Sequence, residues 1–136
     1  MSASEALQKA VYEALQGDAA LTALVADRVY DVPLSGAAYP YISFGPTDFY
    51  PERQDCFKRR TETFQIDVWA DDDMDRAPCK AICNAVVALL DQARLSLDDP
   101  YAMGRCELRL ARVMDDPDGI TKHGVLQFEA EVQTQV

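Results

Sequence analysis

Histidine and tryptophan occur once each in the 136 residues, as His123 and Trp69. A single imidazole leaves little for acid–base or nucleophilic catalysis, and no motif ties it to one particular thiol. Phosphate-binding and nucleophile-elbow signatures are missing: there is no Gly-x-Gly-x-x-Gly, no phosphate loop and no Gly-x-Ser-x-Gly. No apolar run approaches the ~20 residues of a membrane span, so no membrane partner is expected. The opening residues, Met1-Ser2-Ala3-Ser4-Glu5, carry neither a basic nor an apolar region. No secretory signal is therefore expected, and the four Cys are expected reduced in a cytoplasm. Positive charge is scarce, with 13 Lys and Arg against 23 Asp and Glu and a formal net charge of −10. That balance argues against a domain that grips nucleic acid through its phosphates. If the chain surrounded a channel, an acidic lining would let DNA pass without specific binding.

What is present suits one globular domain over residues 1–136. Apolar residues make up 49% and charged residues 26%, and a chain of this length buries roughly 70% of the surface its unfolded form exposes. No internal repeat or low-complexity run appears.

The chain is organised around residues 61–90, which read as a strand, an acidic loop and a long helix. Phe64, Ile66, Val68 and Ala70 alternate with Thr63, Gln65, Asp67 and Trp69, the period-two pattern of a half-buried strand. Asp71, Asp72, Asp73 and Asp75 then lead into a helix with an apolar stripe of Ile82, Ala85, Val86 and Leu89. Acids favour the positive end of a helix dipole, and Pro78 falls in the first turn, where a missing N–H costs little.

Before that stretch, Ser2 and Glu5 have capping-box spacing and Ala6, Leu7, Ala10, Val11, Ala14 and Leu15 form a stripe that Gly17 ends. Asp18 caps a second short helix with Leu21, Leu24 and Val25 facing inward, and residues 28–31 read as a brief strand. Residues 32–39 are a loop, Pro40 introduces the strand Tyr41-Ile42-Ser43-Phe44, and Gly45-Pro46 ends it. Residues 47–60 are irregular, with Phe49, Tyr50 and Phe57 among Arg53, Lys58, Arg59 and Arg60. Aromatics beside arginine are what interface cores favour, so this is a candidate contact arm; a solvated hairpin loop is the plainer alternative.

After the helix, residues 91–101 form a polar connection anchored by Leu95 and Leu97. Cys106, Leu108, Leu110 and Met114 alternate with Glu107, Arg109 and Val113, although Arg112 intrudes on the apolar side. The turn Asp115-Asp116-Pro117-Asp118-Gly119 joins this strand to a last one, where Leu126, Phe128, Ala130 and Val132 alternate with Gln127, Glu129, Glu131 and Gln133. The order of elements suits an α+β fold: an antiparallel or mixed sheet with helices packed on one face.

Chemical readings are weaker. Cys79 and Cys83 share one side of the helix and could join Cys56 and Cys106 in a four-thiolate zinc site, but paired Cys-x-x-Cys turns are absent. Asp71, Asp72 and Asp73, like Asp115, Asp116 and Asp118, lack the alternating ligands and distal Glu of a calcium loop. His123 reads as a solvated loop residue or one that holds the final hairpin. No metal, cofactor or catalytic group is expected.

Several local phrases resemble the small tail-terminator or tail-completion proteins of long-tailed phages, prophages and phage-derived gene transfer agents. They are Leu21-Thr22-Ala23-Leu24-Val25 with Arg28-Val29-Tyr30-Asp31, then Tyr39-Pro40-Tyr41-Ile42-Ser43-Phe44-Gly45. Phe64-Gln65-Ile66-Asp67-Val68-Trp69 precedes a helix opening Lys80-Ala81-Ile82, and Asp116-Pro117-Asp118-Gly119 leads to His123-Gly124-Val125-Leu126. The resemblance covers nearly the whole chain and implies a tail-terminator-like fold and a structural virion protein of the tail or neck, assembled in a bacterial cytoplasm.

Such proteins form a ring, usually a hexamer, on the head-proximal end of the tail tube. They end tube polymerisation and help join the head. The implied partners are further copies of the chain, the tail tube protein and a head-closure, stopper or adaptor protein. Another neck component, such as a head-closure or connector subunit, would share these features; a small cysteine-rich metal-binding domain is the remaining alternative. The chain's own charge placement assigns the oligomer or tube interface to Phe49, Tyr50, Arg53, Phe57, Arg59 and Arg60 and to an acidic patch of Asp71, Asp72 and Asp73 on the next subunit. The polar side of the last strand, Gln127, Glu129, Glu131 and Gln133, is the candidate solvent- or lumen-facing surface.

Overall fold

A computed structural model describes residues 1–54, 57–71 and 74–135. The helices are α1 (Ala3–Gly17), α2 (Ala19–Val25) and α3 (Ala77–Leu90), and the strands are β1 (Val29–Tyr30), β2 (Tyr41–Gln54), β3 (Phe57–Ala70), β4 (Tyr101–Met103), β5 (Glu107–Asp115) and β6 (Lys122–Thr134). The sheet runs β1-β2-β3-β6-β4, with β5 also on β6. β1 and β2 are parallel and the other pairs antiparallel. The sheet is thus mixed, and the fold is α+β.

Alternation decides which face the helices cover. Ile42, Phe64, Ile66, Val68, Leu126, Phe128 and Ala130 are buried on one face with Leu7, Val11 and Leu15 of α1, Leu21 and Val25 of α2, and Ile82, Val86 and Leu90 of α3. Each such large side chain contributes about 1.5–3 kcal/mol when fully buried. The capping box at Ser2 and Glu5 is formed, and Asp18 caps α2 through Leu21 N–H. Pro78 lies in the first turn of α3, but that turn carries no acid and its cap position is Arg76; Asp75 instead accepts from Ala77 N–H at 2.8 Å.

Other expectations need correcting. Gly45-Pro46 do not end β2: a register shift between Phe44 and Thr47 takes up the proline, and pairing with β3 resumes as far as Gln54–Phe57. Residues 47–54 and 57–60 are therefore not irregular but the outer, paired halves of two 14-residue strands. Leu24 is 39% exposed, because a helix of 7 residues turns only Leu21 and Val25, four apart, toward the core. In α3 it is Leu90, with Cys79 and Cys83, that is buried; Leu89 is half-buried. Arg112 does not intrude on the apolar face, since a second register shift between Leu108 and Leu110 reverses the phase of β5. Thereafter Ala111 and Val113 face the helices, and Leu110, Arg112 and Met114 face away. β4 is too short to give a periodic signal, and His123 sits half-buried in β6 opposite Met114 of β5, within the final hairpin and not in a solvated loop.

Gly124 lets α3 lie close on the sheet, because a Cβ there would overlap the Cys83 sulfur and press on Val68. Gly124→Ala is expected to cost about 1–3 kcal/mol in a denaturant titration, and Cys83→Ala in the same chain should recover part of that loss. Strict additivity of the two changes would contradict the contact. Cys106 is fully buried and burial pushes its thiol up to about 12. An alkylating reagent at about pH 8, which modifies ordinary thiols of pKa ~8.5, should leave Cys106 unmodified until denaturant is added; labelling of the native chain at Cys106 would contradict this packing.

Candidate functional site

The expected contact arm is the β2–β3 hairpin. Phe49 and Tyr50 are 49% and 54% exposed on β2, while Arg59 and Arg60 lie on β3 and point to opposite faces. Arg53 and Phe57 belong to the same strands near the tip, and their side chains, like all of Cys56, lie outside the described residues.

The arginines are engaged within the chain. The Arg60 guanidinium lies 3.8 Å from the centre of the Phe49 ring, its Nε 2.7 Å from Glu62 Oε1, and its Nη2 donates to Ser4 Oγ at 3.0 Å. Ser4 Oγ is in turn 2.9 and 3.0 Å from the two oxygens of Glu62, a carboxylate only 2% exposed. Glu62 sits against the first turn of α1, where the dipole favours negative charge. On the other face, Arg59 Nη1 is 3.1 Å from Glu131 and its Nε 3.9 Å from Glu52. The base of the arm is thus a braced joint between α1 and the hairpin. Reversing Arg60 to Glu would set a second carboxylate beside buried Glu62 and break that joint.

Asp71 follows the far end of β3. Twelve residues of strand at about 3.3 Å each put it roughly 40 Å from Arg59. Asp72 and Asp73 lie outside the described residues. The arm and Asp71 therefore lie at opposite ends of one strand.

The face of the sheet turned away from the helices carries an unforeseen cluster. Trp69 and His123 stack with ring centres 3.8 Å apart, and Tyr41 packs on Trp69 and meets Tyr30 and Tyr39. Beneath them, His123 Nε2 is 2.8 Å from Asp67 Oδ1, Gln65 donates to Asp67 at 2.9 Å, and Trp69 Nε1 donates to Ser43 Oγ at 3.0 Å. Burial and the neighbouring tyrosines hold the Tyr41 phenol above its ordinary value. Gln127, Glu129, Glu131 and Gln133 continue this face half-buried down β6. Alternation already assigns these residues to one face; their meeting across β2, β3 and β6 needed the strand order.

Between α1 and β2 lies a groove of about 420 Å³, floored by Leu7, Val11, Phe44 and Phe64 with Tyr12, Asp31 and Thr47 at its rim. Cys79 and Cys83 lie on the helix side of the sheet, sharing a hydrogen bond that, with burial, pushes the Cys83 thiol far up. Asp67 is the described hydrogen-bond partner of His123, and Trp69 covers its ring. This arrangement suits a brace of the sheet face. Among the described residues, no three His, Cys, Asp or Glu side chains are grouped to hold a metal ion, and no helix is long and apolar enough to cross a membrane.

Known proteins resemble the chain over nearly its full length. The family described as tail completion protein gp17 matches residues 9–133. The tail completion protein gp17 of Bacillus phage SPP1 is 30% identical over 125 residues, covering 92% of this chain and 90% of that protein. A chain from the virion of a native gene transfer agent particle superposes with a TM-score of 0.89 at 32% identity, covering 97% of this chain and 98% of that one. With its sheet, hairpin and helices matched throughout, the chain belongs to the tail completion protein gp17 family.

Proposed function

We propose that the protein is a non-enzymatic tail terminator, one domain that assembles as a ring, a hexamer by family resemblance, on the head-proximal end of the tail tube. Its location, the tail or neck of a phage-like particle, follows from the family. The observation that carries the finer reading is the family match over residues 9–133, joined to a surface with exposed aromatic groups at Phe49 and Tyr50. The ring stops tube polymerisation and offers a surface for head joining. Its partners are further copies, the tail tube protein and a head-closure, stopper or adaptor protein, and DNA passes through without specific binding. Assembly takes place in the bacterial cytoplasm.

The separation of roughly 40 Å along β3 supports one change to the interface reading. In a ring whose axis follows the strands, Arg53, Phe57, Arg59 and Arg60 lie toward one axial end, with Phe49 and Tyr50 further down the arm, and Asp71 lies toward the other. The two ends then meet different partners, one the tube and one the head-closure protein. For copies at one axial level, that spacing favours separate partners over one subunit's arm meeting its neighbour's Asp71. The polar face of β6, with Gln127, Glu129, Glu131 and Gln133, turns to the lumen, where Arg59 and Arg109 are held by Glu131 and Glu129 and present no uncompensated positive charge to grip phosphate.

Electron microscopy of particles from a strain lacking this gene, beside the complemented strain, tests the reading. Overlong or variable tubes without heads are expected. Tails of normal length detached from heads would reassign the protein to a neck connector, and normal complete particles would overturn the proposal.

A further inference from the structure

We propose that neighbouring copies join edge to edge, residues 47–50 of β2 pairing antiparallel with residues 110–113 of β5 on the next copy, with Asp48 opposite Arg112. This rests on the ring reading, which supplies the second copy.

Two sheet edges are open. β1 covers only Ile42 and Ser43 of β2, so the rest of that strand pairs only with β3. β5 pairs only with β6 among the described residues; at its start the Leu108 N–H donates to Asp91 Oδ1 at 3.0 Å, which leaves the later residues open. An unpaired strand edge is a template for another chain unless something covers it. The two edges also have compatible directions. β2 opposes β3, β3 opposes β6 and β6 opposes β5, so β2 and β5 run opposite ways. Rotation about an axis along the strands preserves those directions, and the contact between copies is antiparallel. Pro46 and Pro51 lack an N–H and bracket the pairing segment.

Charge and alternation select the register. Asp48 and Arg112 are exposed on the same face of the sheet, and neither has a hydrogen bond or ion pair among the described residues. Setting them opposite each other places Thr47 against Val113 and Phe49 against Ala111 on the helix side, and Tyr50 against Leu110 on the polar side. The exposed rings of Phe49 and Tyr50 gain apolar cover, and Val113 comes to the mouth of the α1–β2 groove, where Thr47 lies. A slip of one residue sends every side chain to the wrong face. A slip of two sets Asp48 against Leu110 or Met114 and leaves Arg112 without a carboxylate opposite.

Ring closure is consistent with the same register. Within one copy Asp48 lies in a row with Thr63, Glu129 and Glu107, whereas Arg112 lies opposite Val125, four residues further along β6. Four residues at about 3.3 Å, across four strands spaced about 4.8 Å, make the strands lean by roughly 35°. Closed sheets lean by roughly 35–45°.

Disulfide trapping in assembled particles tests this. The full chain carries Asp48→Cys and Arg112→Cys with Cys56→Ser, is produced in place of the natural chain, and the purified particles are mildly oxidised. A ladder of reducible multimers is expected, with none from either single cysteine. Several copies per tail, counted by mass spectrometry, without a ladder would overturn the edge pairing and leave the ring standing. One copy per tail would overturn the ring and the pairing with it. If the cysteine chain is not incorporated, charge exchange decides: Asp48→Arg and Arg112→Asp should each abolish complete particles and their combination restore them. Failure of the combination to restore them overturns the proposal.

Discussion

The ladder between β3 and β6 holds the rest of the molecule in place. Thirteen residue pairs, from Lys58–Thr134 to Ala70–Lys122, run without a register shift, so every position on either strand has a fixed face. On one face Phe64, Ile66, Val68, Leu126 and Phe128 meet three helices; on the other, polar and aromatic side chains form their own layer. β2 and β5 attach to the two sides of this ladder, and each tolerates a register shift because each has a free edge. The central pair has neither freedom. A slip of one residue there would expose the whole core.

That constraint explains how an acidic chain can use its few arginines. Arg59 and Arg60 lie on β3 just beyond the apolar part of the ladder, and each is matched to carboxylates of the same chain. Arg60 stiffens the joint between hairpin and helix, and Arg59 ties β3 to β2 and β6 on the other face. Glu62, in phase with Phe64 and Ile66, is carried inside by alternation; Ser4 and Arg60 supply the hydrogen bonds and charge a buried carboxylate requires. A braced hairpin at one end of β3 and Asp71 at the other give the subunit two chemically distinct ends.

Much of this was legible from residues alone. The capping box at Ser2, the cap at Asp18 and the alternation of β3 and β6 are local signals, and the structure keeps them. The outer half of the hairpin was not legible: Gly45-Pro46 read as the end of a strand, and the residues beyond it show no apolar period. The strand β5 was legible, but the register shift near Arg109 disguised which face its later residues take, since a bulge leaves no mark in composition. The buried place of Glu62 was within reach, because continuing the phase of Phe64 backwards leads to it. The stack of Trp69 on His123 was not, as it joins residues of different strands whose adjacency only the sheet order supplies.

The central claim is that this chain closes the end of a tail tube with its sheet turned inward. A reconstruction of the head-proximal tail end by electron cryomicroscopy tests that most directly. The account predicts one closed ring of this chain at a single axial level, helices outside, with Gln127, Glu129 and Glu131 lining the channel. Finding the chain repeated along the tube or inside the head, or finding its helices facing the channel, would contradict it.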